Sequence, residues 1–170
     1  AGAAGLAAAI SLARDGVDTV VLERSTFEVR RVGEHVPPEI KPLLHRLGYP
    51  VSSIGERHLQ SDGVIGTWGD GESVNREYLY SAYGLGLNLT RPFFDKELAK
   101  LAGRAGARVL TGQSIVLRSG PPNWLIQAES DELDCTVCCQ FVVDATGRSG
   151  WLSRKLRAKR WPSKALLAAV

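Results

Sequence analysis

Apolar positions change period several times along the chain, and each change marks an element. Leu6, Ile10 and Ala13 recur at helical spacing, with Ala7, Ala8 and Ala9 between them. That pattern predicts a helix over residues 5–14 whose small side chains let it lie close to a sheet. Gly16 stands just past the last turn, where helices commonly stop. Residues 18–22 then run apolar, the profile of a buried parallel strand, and Glu23 follows at the carboxyl end. A second helix is predicted over 39–47, with Leu43, Leu44 and Leu47 on one face, Pro38 at its start and Gly48 at its end. Between 52 and 90 glycines punctuate the chain, and strand pieces are predicted over 64–68 and 88–90. A third helix opens at Arg91-Pro92-Phe93-Phe94-Asp95, with Phe94, Leu98, Leu101 and Ala105 on its buried side. Strands are predicted over 108–115, 123–129 and 136–143. The last two are joined by an acidic turn over 130–134, which gives an antiparallel meander inserted in an α/β domain.

Composition narrows the class. The chain has 170 residues, 44% hydrophobic and 23% charged, which is ordinary for one globular domain. A formal charge of +3, without a basic stripe interleaved with aromatics, argues against a nucleic-acid binder. Three cysteines, two of them adjacent (Cys138, Cys139), do not make a secreted disulfide framework, and a cytoplasmic, reducing compartment fits better. No stretch reaches the length of a membrane span, and no His/Cys/Asp cluster has metal-ligand spacing.

The chemistry-bearing motif lies at the front. Gly2, Ala3, Ala4 and Gly5 form part of a G-x-G-x-x-G turn, whose first glycine and preceding strand would come before Ala1. Gly2 would let the backbone approach a pyrophosphate, and Gly5 would allow close helix–strand contact. The helix N-terminus offers free N–H groups and a favourable dipole to phosphate. Glu23 follows at close to the spacing expected of the acid that accepts both hydroxyls of an adenosine ribose. An acid there also disfavours a cofactor carrying a 2′-phosphate.

A second glycine turn, Asp144-Ala145-Thr146-Gly147, follows the predicted strand ending at Val143. Small residues there permit close approach to a cofactor, and Asp144 is equally able simply to cap its own turn. Lys155, Arg157, Lys159, Arg160 and Lys164 read as a short basic helix, solvated or facing phosphate. Trp68, Tyr78, Tyr80 and Tyr83 suit either aromatic packing or the lining of a ring-binding cleft. Of His35, His45 and His58, only His35 falls in a segment expected to face a cleft. No residue is assigned as acid or base.

Four stretches in order, AGAAGLAAA, VVLERS, RRVGEHVPPEIKPLLHRLG and FVVDATGRSGWLSRKL, span nearly the whole chain. Together they resemble the FAD domain of flavin-dependent monooxygenases of the p-hydroxybenzoate hydroxylase class. Most similar are the flavin-dependent halogenases and the flavoproteins that mature quinone-containing oxidases. The resemblance implies a Rossmann-like FAD-binding domain with a parallel central sheet and inserted antiparallel strands. Residues 1–170 would be an incomplete domain, with the first strand before 1 and a later Gly-Asp motif and most of the substrate domain after 170. It implies FAD as cofactor, contacted by Gly2, Ala3, Ala4 and Gly5 at the pyrophosphate, and by Glu23 with Arg24 at the ribose. Arg31 and Gly33 would lie near the cofactor, with Glu34 and Val36 facing the flavin cleft. Arg91 would lie against the phosphates or ribityl chain, and Asp144, Ala145, Thr146 and Gly147 would form a second wall.

The implied activity is oxygenation of an organic substrate through a flavin hydroperoxide. Electrons would come from NADH, NADPH or a separate flavin reductase. Residues 64–73 hold no lysine of the kind halogenases use, which points away from halogenation. Two alternatives stand beside this one. A maturase would act on a residue of a partner oxidase, and a non-catalytic nucleotide-binding or redox-partner fragment would bind no chemistry-competent flavin.

Overall fold

The computed structural model describes residues 1–28, 34–50, 52–68, 71–130 and 134–159. In chain order its helices and strands are α1 (Ala3–Arg14), β1 (Val20–Leu22), β2 (His35–Val36), α2 (Ile40–Leu47), α3 (Ser52–Arg57), β3 (Leu59–Ser61), β4 (Gly63–Trp68), β5 (Glu72–Glu77), β6 (Gly86–Asn88), α4 (Arg91–Arg104), β7 (Arg108–Leu110), β8 (Ser114–Ser119), β9 (Trp124–Glu129), β10 (Cys135–Cys139) and α5 (Trp151–Lys155).

The architecture is mixed α/β, as expected from the sequence. β1 and β7 pair in parallel, Val20 with Arg108, Val21 with Val109 and Leu22 with Leu110. The ladder continues past the strand ends, because Glu23 N–H donates to Leu110 O at 2.9 Å and Gln113 N–H to Glu23 O at 2.9 Å. The connection between these parallel strands carries α4, as a crossover requires. α1 packs against α4. Leu6 and Ile10 of α1 meet Phe94, Leu98 and Leu101 of α4 in one core with Val21, Leu44 and Leu87. Arg14, in the last turn of α1, donates to Arg46 O at 2.7 Å and Leu47 O at 2.9 Å, satisfying carbonyls at the end of α2.

Three antiparallel units surround this half. β9 and β10 form the expected antiparallel pair and β8 extends it on the other edge of β9, β6 lies between β2 and β3, and β4 pairs with β5 as a ribbon. The three cysteines are free. No helix among the described residues is long and apolar enough to cross a membrane.

Several boundaries differ from the sequence pattern. The strand expected over 108–115 is two strands, β7 and β8, separated by a turn in which Gly112 has φ 73°. The strand expected over 136–143 stops at Cys139. Phe141 and Val143 lie outside any ladder and are 86% and 63% exposed, because no strand among the described residues flanks them. Of the residues read as a basic helix, Lys155 ends α5 and Arg157 has φ 51°, outside helical geometry. The acidic turn falls largely on residues 131–133, outside the described residues, as do Arg160 and Lys164.

His58 is a buried polar group, 3% exposed. Thr90 N–H donates to its Nδ1 at 3.2 Å, so in the neutral ring Nε2 carries the proton toward Tyr49 Oη at 3.0 Å. Phe93 and Phe94 stand edge-on to the ring. Burial pushes the His58 pKa below its ordinary value, against a smaller opposing contact with the Arg57 backbone. The unfolded chain therefore binds a proton that the folded chain refuses. His58 contributes full stability above about pH 6.5 and loses it as the pH falls toward the lowered folded value. Denaturant unfolding between pH 7.5 and 5 is expected to show this slope, and His58→Gln is expected to flatten it; an unchanged slope in the variant would rule the assignment out.

Candidate functional site: a cradle between two small-residue turns

α1 starts at Ala3 with Gly2 as its extended N-cap. No side chain caps it and no acid sits in its first turn. Its leading N–H groups are therefore left to water or an anion, at the positive end of a 12-residue helix.

Glu23, at the carboxyl end of β1, is 5% exposed. Its Oε1 accepts from Ser25 N–H at 2.9 Å and from Ser25 Oγ at 2.6 Å, which fixes the carboxylate. Its Oε2 contacts the nitrogen of Ala1. The acid and the glycine turn, far apart in sequence, thus meet in space. Sequence reasoning missed Ser25, although a serine two residues after an acid is a recognisable local partner.

The second turn reaches the same place. A Cβ built on Gly5 would stand 2.9 Å from Ala145 Cβ and 3.2 Å from Ala1 Cβ. Real side chains do not approach so closely, so Gly5 is required by the contact and not by its backbone angles. Ala145 in turn is small because the helix N-terminus passes directly over it.

Asp144 realises the capping alternative. Its Oδ1 accepts from Thr146 Oγ1 at 2.5 Å and Thr146 N–H at 3.2 Å. Its Oδ2 accepts from Leu152 N–H at 2.9 Å and Ser153 N–H at 3.2 Å, in the first turn of α5. Partial burial raises its pKa, but these hydrogen bonds outweigh it and hold the carboxyl below its usual range. Asp144 thereby shapes the wall that Ala145 presents, and Gly147 continues it with φ 62°.

The remaining candidates are placed separately. Arg91 begins α4 and its Nη2 lies 3.1 Å from Asp95 Oδ2 and 3.3 Å from Oδ1, and Asp95 is buried. Nothing in the helical pattern singled out Asp95, which sits on the apolar face of α4. Arg24 is exposed beside Glu23. Arg31 and Gly33 lie outside the described residues. Tyr78 is buried, whereas Tyr80 and Tyr83 are 90% and 50% exposed, so the aromatic residues do not form one lining. Nothing is described of the Trp68 side chain. Gln113 is a residue the sequence did not flag: it is 4% exposed, its Nε2 donates to Thr111 O, and its backbone joins Glu23.

Known proteins resemble this chain in sequence and fold. The protein LodB of Marinomonas mediterranea, described as an FAD-dependent oxidoreductase, is 30% identical over 159 residues, covering 91% of this chain and 43% of LodB. The chain is homologous to FAD-dependent oxidoreductases and flavin-dependent halogenases. A tryptophan 2-halogenase of Chondromyces crocatus is 26% identical over 170 residues, covering 96% of this chain and 32% of that enzyme. The crystal structure of the flavin-dependent halogenase CmlS superposes with a TM-score of 0.77 at 27% identity, over 92% of this chain and 30% of CmlS. A flavoprotein/dehydrogenase of Cytophaga hutchinsonii shares the fold at 20% identity, with a TM-score of 0.80 over 97% of this chain and 42% of that one. The chain therefore spans less than half the length of these halogenase and oxidoreductase relatives. No protein-family model matches it.

Gly5→Ala is expected to destabilise the domain by about 1–3 kcal/mol, because the new methyl must displace Ala145 or tilt α1. Ala145→Gly should recover much of that loss in the double variant. Chemical denaturation of the four-member cycle measures it, and strict additivity would show that the two residues do not share the contact.

Proposed function

We propose that this chain is the FAD-binding part of an oxidoreductase that oxygenates an organic substrate. The observation that supports it is the convergence of the Gly2–Gly5 turn, Glu23 and Ala145 on one place. An uncapped helix N-terminus suits a pyrophosphate, an adjacent fixed carboxylate suits a ribose diol, and the two turns pass without side chains between them. These residues fit FAD. Gly2, Ala3, Ala4 and Gly5 would hold the pyrophosphate, Glu23 with Arg24 the ribose, and Ala145 with Gly147 the second wall. Arg31, Gly33 and Arg91 are proposed to complete the contact set nearer the flavin. When bound, FAD supplies electron transfer and the activation of dioxygen. The protein's share is to hold the ring, orient substrate and exclude water.

The relatives' activities support the oxidoreductase class. The absence of lysine from residues 64–73 favours oxygenation over halogenation. NADH, NADPH or a separate flavin reductase is proposed as electron source.

The test is direct. Full-length protein is expected to carry FAD, seen as a flavin absorption spectrum, and to oxidise a nicotinamide or accept electrons from a reductase. Mass spectrometry of products separates an added oxygen from an added halogen. Glu23→Ala is expected to weaken FAD binding on the order of ten- to hundredfold, as loss of hydrogen bonds to a charged group implies. Glu28→Ala, on an exposed side chain paired with Lys96, should leave it unchanged. A full-length protein that takes up no flavin would falsify the proposal.

We further propose that a strand of the complete domain covers residues 141–143, and that the open edge of β1 is likewise paired. β1 has a strand on one edge only among the described residues, and the side chains of Phe141 and Val143 are exposed. Phe141→Asp is expected to be tolerated in the 170-residue chain and to destabilise the full-length protein by about 3–5 kcal/mol. Equal effects in both, by thermal or chemical unfolding, would exclude that strand.

A further inference from the structure

A row of three polar side chains lies across the small β2–β6–β3 sheet, and the cradle makes no use of it. β2 and β6 place His35 opposite Asn88 in register. His35 Nδ1 lies 3.1 Å from Asn88 Oδ1, and His35 Nε2 lies 3.1 Å from Tyr78 Oη. With the Asn88 oxygen as acceptor, Nδ1 carries the proton of the neutral ring and Nε2 accepts from the Tyr78 hydroxyl. The two rings are within 9° of parallel. Tyr78 reaches this position only because Gly86 lacks a side chain: a Cβ there would stand 2.8 Å from Tyr78 Cε2. Tyr78 is 4% exposed and its N–H donates to Asp62 O at 2.7 Å, so the hydroxyl is delivered from a fixed base. Leu89 N–H donates to Glu34 O at 2.6 Å, extending the pairing on the other side of His35.

The position of this row in the chain gives it meaning. β2 follows immediately on the segment that holds Arg31 and Gly33, and Asn88 comes three residues before Arg91. The row therefore joins the two segments to which flavin contacts are assigned. A sheet of short strands has few backbone hydrogen bonds to hold such a join in register. Side-chain hydrogen bonds fix it in a way that packing of an exposed histidine does not.

We propose that Tyr78, His35 and Asn88 form a positioning row that holds the Glu34–Val36 segment against the head of α4, and through it sets how tightly the flavin is held and the surroundings of its ring. This rests on the FAD assignment above. His35 is here a positioning residue and transfers no proton in the reaction.

The experiment uses the full-length protein with FAD as the probe, and compares His35→Ala, Tyr78→Phe, the double variant and His35→Gln. FAD affinity is read by fluorescence titration and the ring's surroundings by the visible absorption band. Each single variant is expected to weaken FAD roughly three- to tenfold, the worth of one or two hydrogen bonds. The double variant should be no weaker than the weaker single, and His35→Gln should recover part of the loss. The absorption band should shift alike in both single variants while the melting temperature of Tyr78→Phe, which keeps the ring, stays within a few degrees. Leu79→Ala, on a side chain 69% exposed, should change nothing. Unchanged affinity and spectrum in the single variants, or additive losses in the double, would overturn the row while leaving the FAD assignment standing. Failure of the wild-type full-length protein to bind FAD would overturn the FAD assignment, and the row with it.

Discussion

The contact between Gly5 and Ala145 is the constraint on which the cofactor cradle depends. It brings the first turn of α1 and the Asp144–Gly147 turn to within the distance of two touching methyl groups. That proximity gives the site two walls made of backbone and small residues. It also explains why the composition of both turns is so restricted: any larger side chain at either position would push α1 off the parallel pair β1–β7. Once α1 is held there, its N-terminus comes to lie beside Glu23, and the contacts proposed for phosphate and ribose become neighbours.

Around that contact, each important carboxylate is committed to local architecture. Glu23 is fixed by Ser25, Asp95 by Arg91, and Asp144 by Thr146 and the first turn of α5. Such charge-assisted bonds are stronger than neutral ones and tolerate little displacement. Buried or half-buried acids of this kind work as struts that orient turns. Asp144 shows the consequence most clearly. Its side chain is spent on capping, so its influence on a cofactor passes through the shape of the Ala145–Gly147 backbone.

The apolar periodicity made the larger elements legible. α1, α4 and β9 each carry a repeating pattern long enough to name the element without its neighbours. The dinucleotide fingerprint did the same for the cradle, because Gly2, Gly5 and Glu23 encode backbone clearance and charge locally. The short strands β2 and β3 left no such trace, and β6 left only the piece expected over 88–90. Their two or three residues are held by pairing with one another, and pairing partners distant in sequence leave no period to detect. The overlong strand expected at 136–143 failed for a related reason. An apolar run reports that burial is favourable, and only the presence of a neighbouring strand decides whether a ladder forms.

Residue types and their spacing thus carry the nucleotide-binding chemistry proposed for the opening turn, since glycine's missing side chain and an acid's charge act at the position where they stand. The rest came from folding. Gly5 against Ala145, and Tyr78 over Gly86 onto His35, join residues by contact, and contact depends on three-dimensional packing that no single stretch of chain contains. The physical reason is one of range. Conformational preference and charge belong to a residue and its near neighbours, whereas steric clearance and hydrogen-bond geometry across elements exist only once the core of α1, α4 and β1 has fixed where those elements lie.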